Sequence, residues 1–127
     1  MIVGTGVDLC EVGRIRDAIG RSGDLFLRRV FTAGEIETVG HAAANRFERY
    51  AARFAAKEAG MKAVGTGWQS GVTWRDFEVV TEADGRPVLL LHGVAAELAR
   101  RRAVARIHIS LSHTAGMAIA SVILESD

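Results

Sequence analysis

Glu58 lies in the run Arg53-Phe-Ala-Ala-Lys-Glu-Ala-Gly-Met-Lys62, on what should be the apolar side of a helix. At about 100° per residue, Phe47, Ala51, Phe54, Glu58 and Met61 fall within one stripe about 80° wide. An unpaired carboxylate on such a face costs several kcal/mol, so a neighbouring cation or a metal ion must neutralise it. Lys62 stands four residues on, glutamate first, which is the favourable order for a helical ion pair. Asp8 ends the first strand and brings a second carboxylate to the edge of a core. Two converging carboxylates without thiols or a histidine cluster suit magnesium, which keeps places for water and phosphate oxygens. Lys62 would then hold a phosphate that the metal also holds. Spacing leaves both the simple salt bridge and the metal site open.

Other polar groups fit anion binding better than covalent catalysis. Gly4-Thr5-Gly6 and Gly65-Thr66-Gly67 match neither a Walker loop nor a complete dinucleotide fingerprint. Gly4 and Gly6 read as close backbone approach in a sheet, and Gly65 as a helix C-cap. Ser110-Leu-Ser-His-Thr114 gathers hydroxyls and a histidine at a strand end and turn. Neighbouring strand residues point to opposite faces and no G-x-S-x-G elbow is present, which argues against a nucleophilic triad. His41, His92 and His108 read as surface or hydrogen-bonded structural residues. Arg14, Arg16, Arg21, Arg28 and Arg29 alternate with Ile15, Ile19, Leu25, Phe26 and Val30. Those residues form either two amphipathic helices with solvated arginines or a docking surface for an acidic helical partner. A second basic group follows at Arg46, Arg49, Arg53, Lys57 and Lys62.

The chain has 127 residues, 49% apolar and 24% charged, with a net charge of +1. That is one globular domain spanning 1–127, and near-neutrality gives no whole-protein field for nucleic acid or an anionic membrane. A nucleic-acid-binding domain also lacks a stacking-aromatic pattern. One cysteine, Cys10, excludes an internal disulfide and a thiol-based zinc site, and reads as a small apolar filler. No signal peptide or run of roughly 20 apolar residues is apparent, so a cytoplasmic, soluble protein is expected.

The elements that must position these groups follow from periodicity and punctuation. Ile2–Leu9 reads as a short buried strand. Glu11–Ile19 and Asp24–Val30 read as short helices, and Thr32-Ala-Gly-Glu35 as a capping box opening a helix to Gly40. Asn45 can cap the long helix that carries Glu58 and stops near Gly65. Phe77–Thr81 and Val88–Leu91 form a hairpin through Asp84-Gly85, and Val94–Arg102 a short helix whose basic end suits the dipole. Ile107–Leu111 and Met117–Leu124 form a second hairpin around Ser112–Gly116. The order, taken as βαααββαββ, predicts an α+β fold with a largely antiparallel sheet packed against one long helix.

Together these residues resemble holo-acyl-carrier-protein synthase, the small group of the 4′-phosphopantetheinyl transferases. The resemblance rests on Gly6-Val-Asp8 with Glu11 and Arg14-Ile15, on Arg53–Ala59 with Lys62, on Gly85-Arg-Pro87 and on Ser110-Leu-Ser-His113. It covers essentially the whole chain and implies the 4′-phosphopantetheinyl transferase fold. It implies magnesium-dependent transfer of 4′-phosphopantetheine from coenzyme A to a serine of an apo acyl carrier protein, releasing adenosine 3′,5′-bisphosphate. It further implies a homotrimer with active sites at subunit interfaces. Carried over, Asp8 and Glu58 correspond to the magnesium ligands, and Lys62 to the lysine on the pyrophosphate. These three are the expected catalytic residues. Arg53, Lys62, Gly65, Thr66, Arg86, Pro87, Ser112, His113 and Thr114 fall where the family contacts coenzyme A. Arg14, Arg21, Phe26 and Arg28 fall on the carrier-docking helices. Cys10, where aliphatic residues are usual, touches none of the motif residues. A rival reading is a non-catalytic oligomeric binding module, which has no need of Asp8, Glu58 and Lys62 together.

Overall fold

Alternation along Ile2–Glu11 forms the first strand, β1, which pairs antiparallel with β5 (Met117–Ser126). β5 in turn pairs antiparallel with β4 (Val104–Thr114), giving a three-stranded sheet in the order β1-β5-β4. Between β1 and the rest lie α1 (Val12–Ser22), α2 (Asp24–Val30), α3 (Ala33–Val39) and the 19-residue α4 (Arg46–Val64). A 3₁₀ turn at Trp74–Asp76 leads into β2 (Phe77–Thr81), which pairs with β3 (Pro87–Leu91); α5 (Gly93–Arg101) connects β3 to β4. This computed structural model describes residues 1–41, 43–65 and 71–127.

The α+β class and the antiparallel pairing match expectation, while several particulars differ. All four helical segments read before β2 form, one more than the order βαααββαββ counts, and Gly23 at φ +52° separates α1 from α2. The strands form two hydrogen-bonded sheets, with β2–β3 separate from the other three. β1 continues to Glu11, so Asp8 lies inside the strand rather than at its end. β4 starts earlier and runs to Thr114, so Ser110–Thr114 is strand and the tight turn is left to Ala115 and Gly116. Asn45 occupies the N-cap position of α4, yet its side chain makes no capping bond. The Thr32–Glu35 capping box and the left-handed Gly65 C-cap both form as read.

α4 is buried on most of its circumference, which explains its run of small residues. Ala51, Ala55, Ala56 and Ala59 are fully buried. β1 lies directly on the helix. A Cβ at Gly6 would overlap the Ala59 carbonyl oxygen, and one at Gly4 would overlap that of Ala63. The inner face of the sheet closes with Ala118, Ala120, Val122 and Leu124 from β5. Its outer face carries an exposed apolar patch, Val7 at 54%, Leu9 at 58% and Ile119 at 40%, beside the polar Ser110, Ser112 and Ser121.

A fully buried ion pair holds the other side of α4. Lys57 Nζ lies 2.6 Å from Glu35 Oε1, and both side chains are inaccessible. The ammonium also donates to the carbonyls of Trp74 (3.3 Å) and Phe77. Glu35 accepts from the backbone N–H of Thr32 and of Val79, each at 3.0 Å. Residues of α3, α4, the 3₁₀ turn and β2 are thus bonded through the pair, and such satisfaction is the condition for a buried charge pair to be tolerated. Burial pulls the Lys57 pKa down, opposed by Glu35. Lys57→Met or Glu35→Gln alone should each lower the unfolding free energy by roughly 3–5 kcal/mol, because one charge is left unpaired. The double variant should recover part of that loss in urea denaturation, as expected of coupled neighbours.

Candidate active site

Period-two alternation sends Gly4, Gly6, Asp8 and Cys10 to the face of β1 that meets α4. The two glycines bring the backbones together, and Asp8 is the next inward side chain. It meets the last turns of α4. Lys62 Nζ donates to Asp8 Oδ1 at 3.0 Å and to the Val7 carbonyl at 3.1 Å. Lys62 thus pairs with Asp8 rather than with Glu58, its helical neighbour, among the described residues. Glu58 is half-buried beside the Asp8 carboxyl. Desolvation, then the Asp8 hydrogen bond and charge, push the Glu58 pKa up from 4.5 to about 7, against the pull of Arg14 and Lys62.

Two carboxyls held so close compete for one proton, and a divalent cation is the natural substitute for it. Among the described residues no cluster of three or more His, Cys, Asp and Glu side chains is gathered to enclose a metal. The donor pair nevertheless fits magnesium, which binds through one or two carboxylates and leaves other positions to water and phosphate oxygens. Cys10 beside it is buried, its thiol raised to about 11 chiefly by desolvation, so it fills space as expected.

The other expected site residues are distributed over separate parts of the chain. Ser112, His113 and Thr114 line a shallow pocket with Leu9, Met117 and Ile119, at the tip of the β4–β5 hairpin. Arg86 is exposed in the β2–β3 turn, where its backbone N–H donates to Asp84 Oδ1 at 3.0 Å, and Pro87 opens β3. Arg53 is buried and turned toward β2, reaching Arg49 O (3.3 Å) and Thr81 Oγ1 (3.4 Å). Gly65 caps α4 one turn beyond Lys62, and Thr66 lies outside the described residues. Hence one chain joins Asp8, Glu58 and Lys62 but does not bond Arg53 or Arg86 to them. His92 and His108 bond to Glu78 and Glu125, each at 2.9 Å, as structural histidines do.

The residues expected to dock a carrier also divide. Arg14 and Arg21 line a polar cleft of about 650 Å³ with Leu9, Glu11, Asp17 and Met117. Arg28 borders a different cavity of about 410 Å³, floored by Leu27, Phe31 and Ile36. Phe26 is half-buried edge-on against Phe31, with ring centroids 6.3 Å apart. Arg14 of α1 stands 5.6 Å over the Phe54 ring, and its charge acts on the Glu58 carboxyl. Glu11 and Met117 were not singled out for this cleft by type or spacing; only the pairing of the end of β1 with the start of β5 brings them there.

The family model for the 4′-phosphopantetheinyl transferase superfamily matches residues 4–120. The chain belongs to that superfamily. It is 60% identical to a holo-[acyl-carrier-protein] synthase of Solibacter usitatus, over 99% of this chain and 100% of the relative. It is 55% identical to one of Koribacter versatilis, over 98% and 99%. A holo-(acyl-carrier-protein) synthase from Bacillus anthracis, solved in complex with CoA (3′,5′-ADP), superposes with TM-score 0.81 at 37% identity, covering 100% of this chain and 99% of that one. The Neisseria meningitidis synthase superposes with TM-score 0.88 at 30% identity, covering 99% and 100%. The protein is a transferase of this family, and the non-catalytic module gives way to an enzyme.

In this transferase the raised Glu58 pKa has a consequence for stability. Between pH 4.5 and about 7 the folded chain keeps a proton that the unfolded chain has lost. Glu58 therefore favours folding most below pH 4.5, and that contribution declines as pH rises to about 7 and is flat above it. Chemical denaturation in chelator across this window should show the decline for wild type and its absence in Glu58→Gln.

Proposed function

We propose that the protein transfers 4′-phosphopantetheine from coenzyme A to a serine hydroxyl of an apo acyl carrier protein, releasing adenosine 3′,5′-bisphosphate. The observation that carries this reading is the convergence of Asp8, Glu58 and Lys62, two carboxylates and an ammonium at one point where β1 crosses α4. The names of its relatives and the coenzyme A bound by the Bacillus anthracis synthase support it. Asp8 and Glu58 would hold magnesium, which when bound neutralises pyrophosphate oxygens as charge moves to the leaving group. Lys62 is half-exposed and can exchange the Val7 carbonyl for a pyrophosphate oxygen while staying beside Asp8. Catalysis is then mostly positioning and electrostatics around a phosphoryl group passing to the serine oxygen. Ser112, His113 and Thr114 supply hydroxyls and an imidazole to the nucleotide end, with Gly65, Thr66, Arg53, Arg86 and Pro87.

The carrier, an acidic helical protein, docks on Arg14, Arg21, Phe26 and Arg28, so that its serine approaches past Arg14. A homotrimer is the assembly this reading requires. The exposed apolar face around Val7, Leu9 and Ile119 is the surface to bury, and assembly supplies from neighbouring chains the coenzyme A contacts that one chain holds apart. Among the described residues no helix is long and apolar enough to cross a membrane. The enzyme acts in the cytoplasm as one domain over 1–127.

Incubation of an apo carrier with coenzyme A and magnesium should add the mass of one phosphopantetheine group, and no mass change across a panel of carriers would refute the reading. Glu58→Gln should lower turnover by roughly a hundredfold or more at unchanged fold. As pH falls through about 7, protons should compete with the metal at Glu58, so the magnesium concentration for half-maximal rate should rise. Arg14→Ala with Arg21→Ala should raise KM for the carrier about tenfold, with little change for coenzyme A. Leu9→Asp should shift the sedimentation coefficient to that of a single chain and reduce activity with it.

A further inference from the structure

Arg102, just past the end of α5, was expected to serve the dipole of its own helix. It reaches elsewhere. Its Nη1 donates to the carbonyls of Ala63 (3.0 Å) and Val64 (2.6 Å), and its Nη2 to the carbonyl of Val3. The first two are carbonyls in the last turn of α4, which lack helical partners. The third belongs to β1, next to Gly4, whose missing Cβ allows β1 to lie on Ala63. One guanidinium therefore ties together the two elements that place Lys62, Asp8 and Gly65. It lies against Gly65 itself, where an added Cβ would come to 3.4 Å from Nη1.

The backbone beside it is constrained. Ala103, directly after Arg102, takes φ +59°, the one non-glycine residue with positive φ among those described. An alanine at positive φ is strained and persists where its surroundings over-determine it. Three charge-assisted bonds from Arg102 on one side and the start of β4 at Val104 on the other hold it there.

We propose that Arg102 is a positioning residue for the coenzyme A end of the site, acting through the last turn of α4 and its Gly65 cap. This rests on the reading that Lys62 and Gly65 receive coenzyme A. It contacts no reacting atom and stands apart from the arginines on α1 and α2, so its loss should affect coenzyme A and spare the carrier.

The test compares Arg102→Ala and Arg102→Lys with wild type by equilibrium titration of coenzyme A with magnesium, by KM for each substrate, and by thermal midpoint. Arg102→Ala should weaken coenzyme A binding and raise its KM about five- to tenfold, with carrier KM unchanged. Arg102→Lys, which keeps a cation and can reach one or two of the carbonyls, should restore part of the affinity; this comparison holds if the alanine variant does not fold. Unchanged coenzyme A affinity in a folded variant would overturn the proposal. So would a parallel rise of both KM values that follows the loss of folded protein, the mark of a structural residue alone. Wild type that fails to bind coenzyme A would instead overturn the functional reading beneath it.

Discussion

The site depends on a contact between two backbones. At Gly4 and Gly6, β1 approaches α4 so closely that the carbonyls of Ala63 and Ala59 occupy the space where side chains would begin. Strand residues two apart and helix residues four apart advance by similar distances, about 6.6 and 6.0 Å. The two elements can thus keep company over several residues, and the third inward position of β1 is Asp8. A larger residue at either glycine would lift the strand and carry Asp8 away from Lys62. The electrostatics of the site are consequences of this steric fact.

The opposite flank of α4 is fixed by chemistry of another kind. Glu35 closes the capping box of α3, accepts from β2 and neutralises Lys57, so one carboxylate links three elements. α4 is thereby held from one side by the absence of side chains and from the other by a saturated ion pair. Those two restraints set which way Glu58 faces. Lys57 and Glu58 are neighbours in sequence with opposite environments. The lysine is fully buried and matched by hydrogen bonds, and the glutamate lies at an edge, partly open to solvent.

Much of this was legible in the residues. The long helix, the capping box, the Gly65 cap and both hairpins have local signals, and each formed. A charge on an apolar stripe left two partners open for Glu58, Lys62 and a metal shared with Asp8, and the structure brings Glu58 beside Asp8 while Lys62 bonds Asp8. Lys57 was read as one member of a basic group, because nothing local distinguishes a buried lysine from a solvated one. Its partner sits 22 residues away. Arg102 eluded reading for the same reason: a cation at a helix end suits its own dipole, and only the tertiary fold reveals that it serves another helix. The end of β1 was set too early because Asp8 looked like a terminus, whereas pairing with β5 continues to Glu11.

β1 presents its two faces to different tasks, Asp8 inward to the site and Val7 and Leu9 outward to the exposed sheet surface. A slip of one residue in its pairing would exchange the faces at once, pointing Asp8 to solvent and driving Val7 toward the helix. Only the native register sets a glycine against both Ala59 and Ala63; a slipped strand would press Cβ atoms into those carbonyls. The same two glycines that make room for the site therefore act as a key for threading. A chain that docks its first strand wrongly cannot close onto α4, and so cannot present a properly formed outer face with a defective centre behind it.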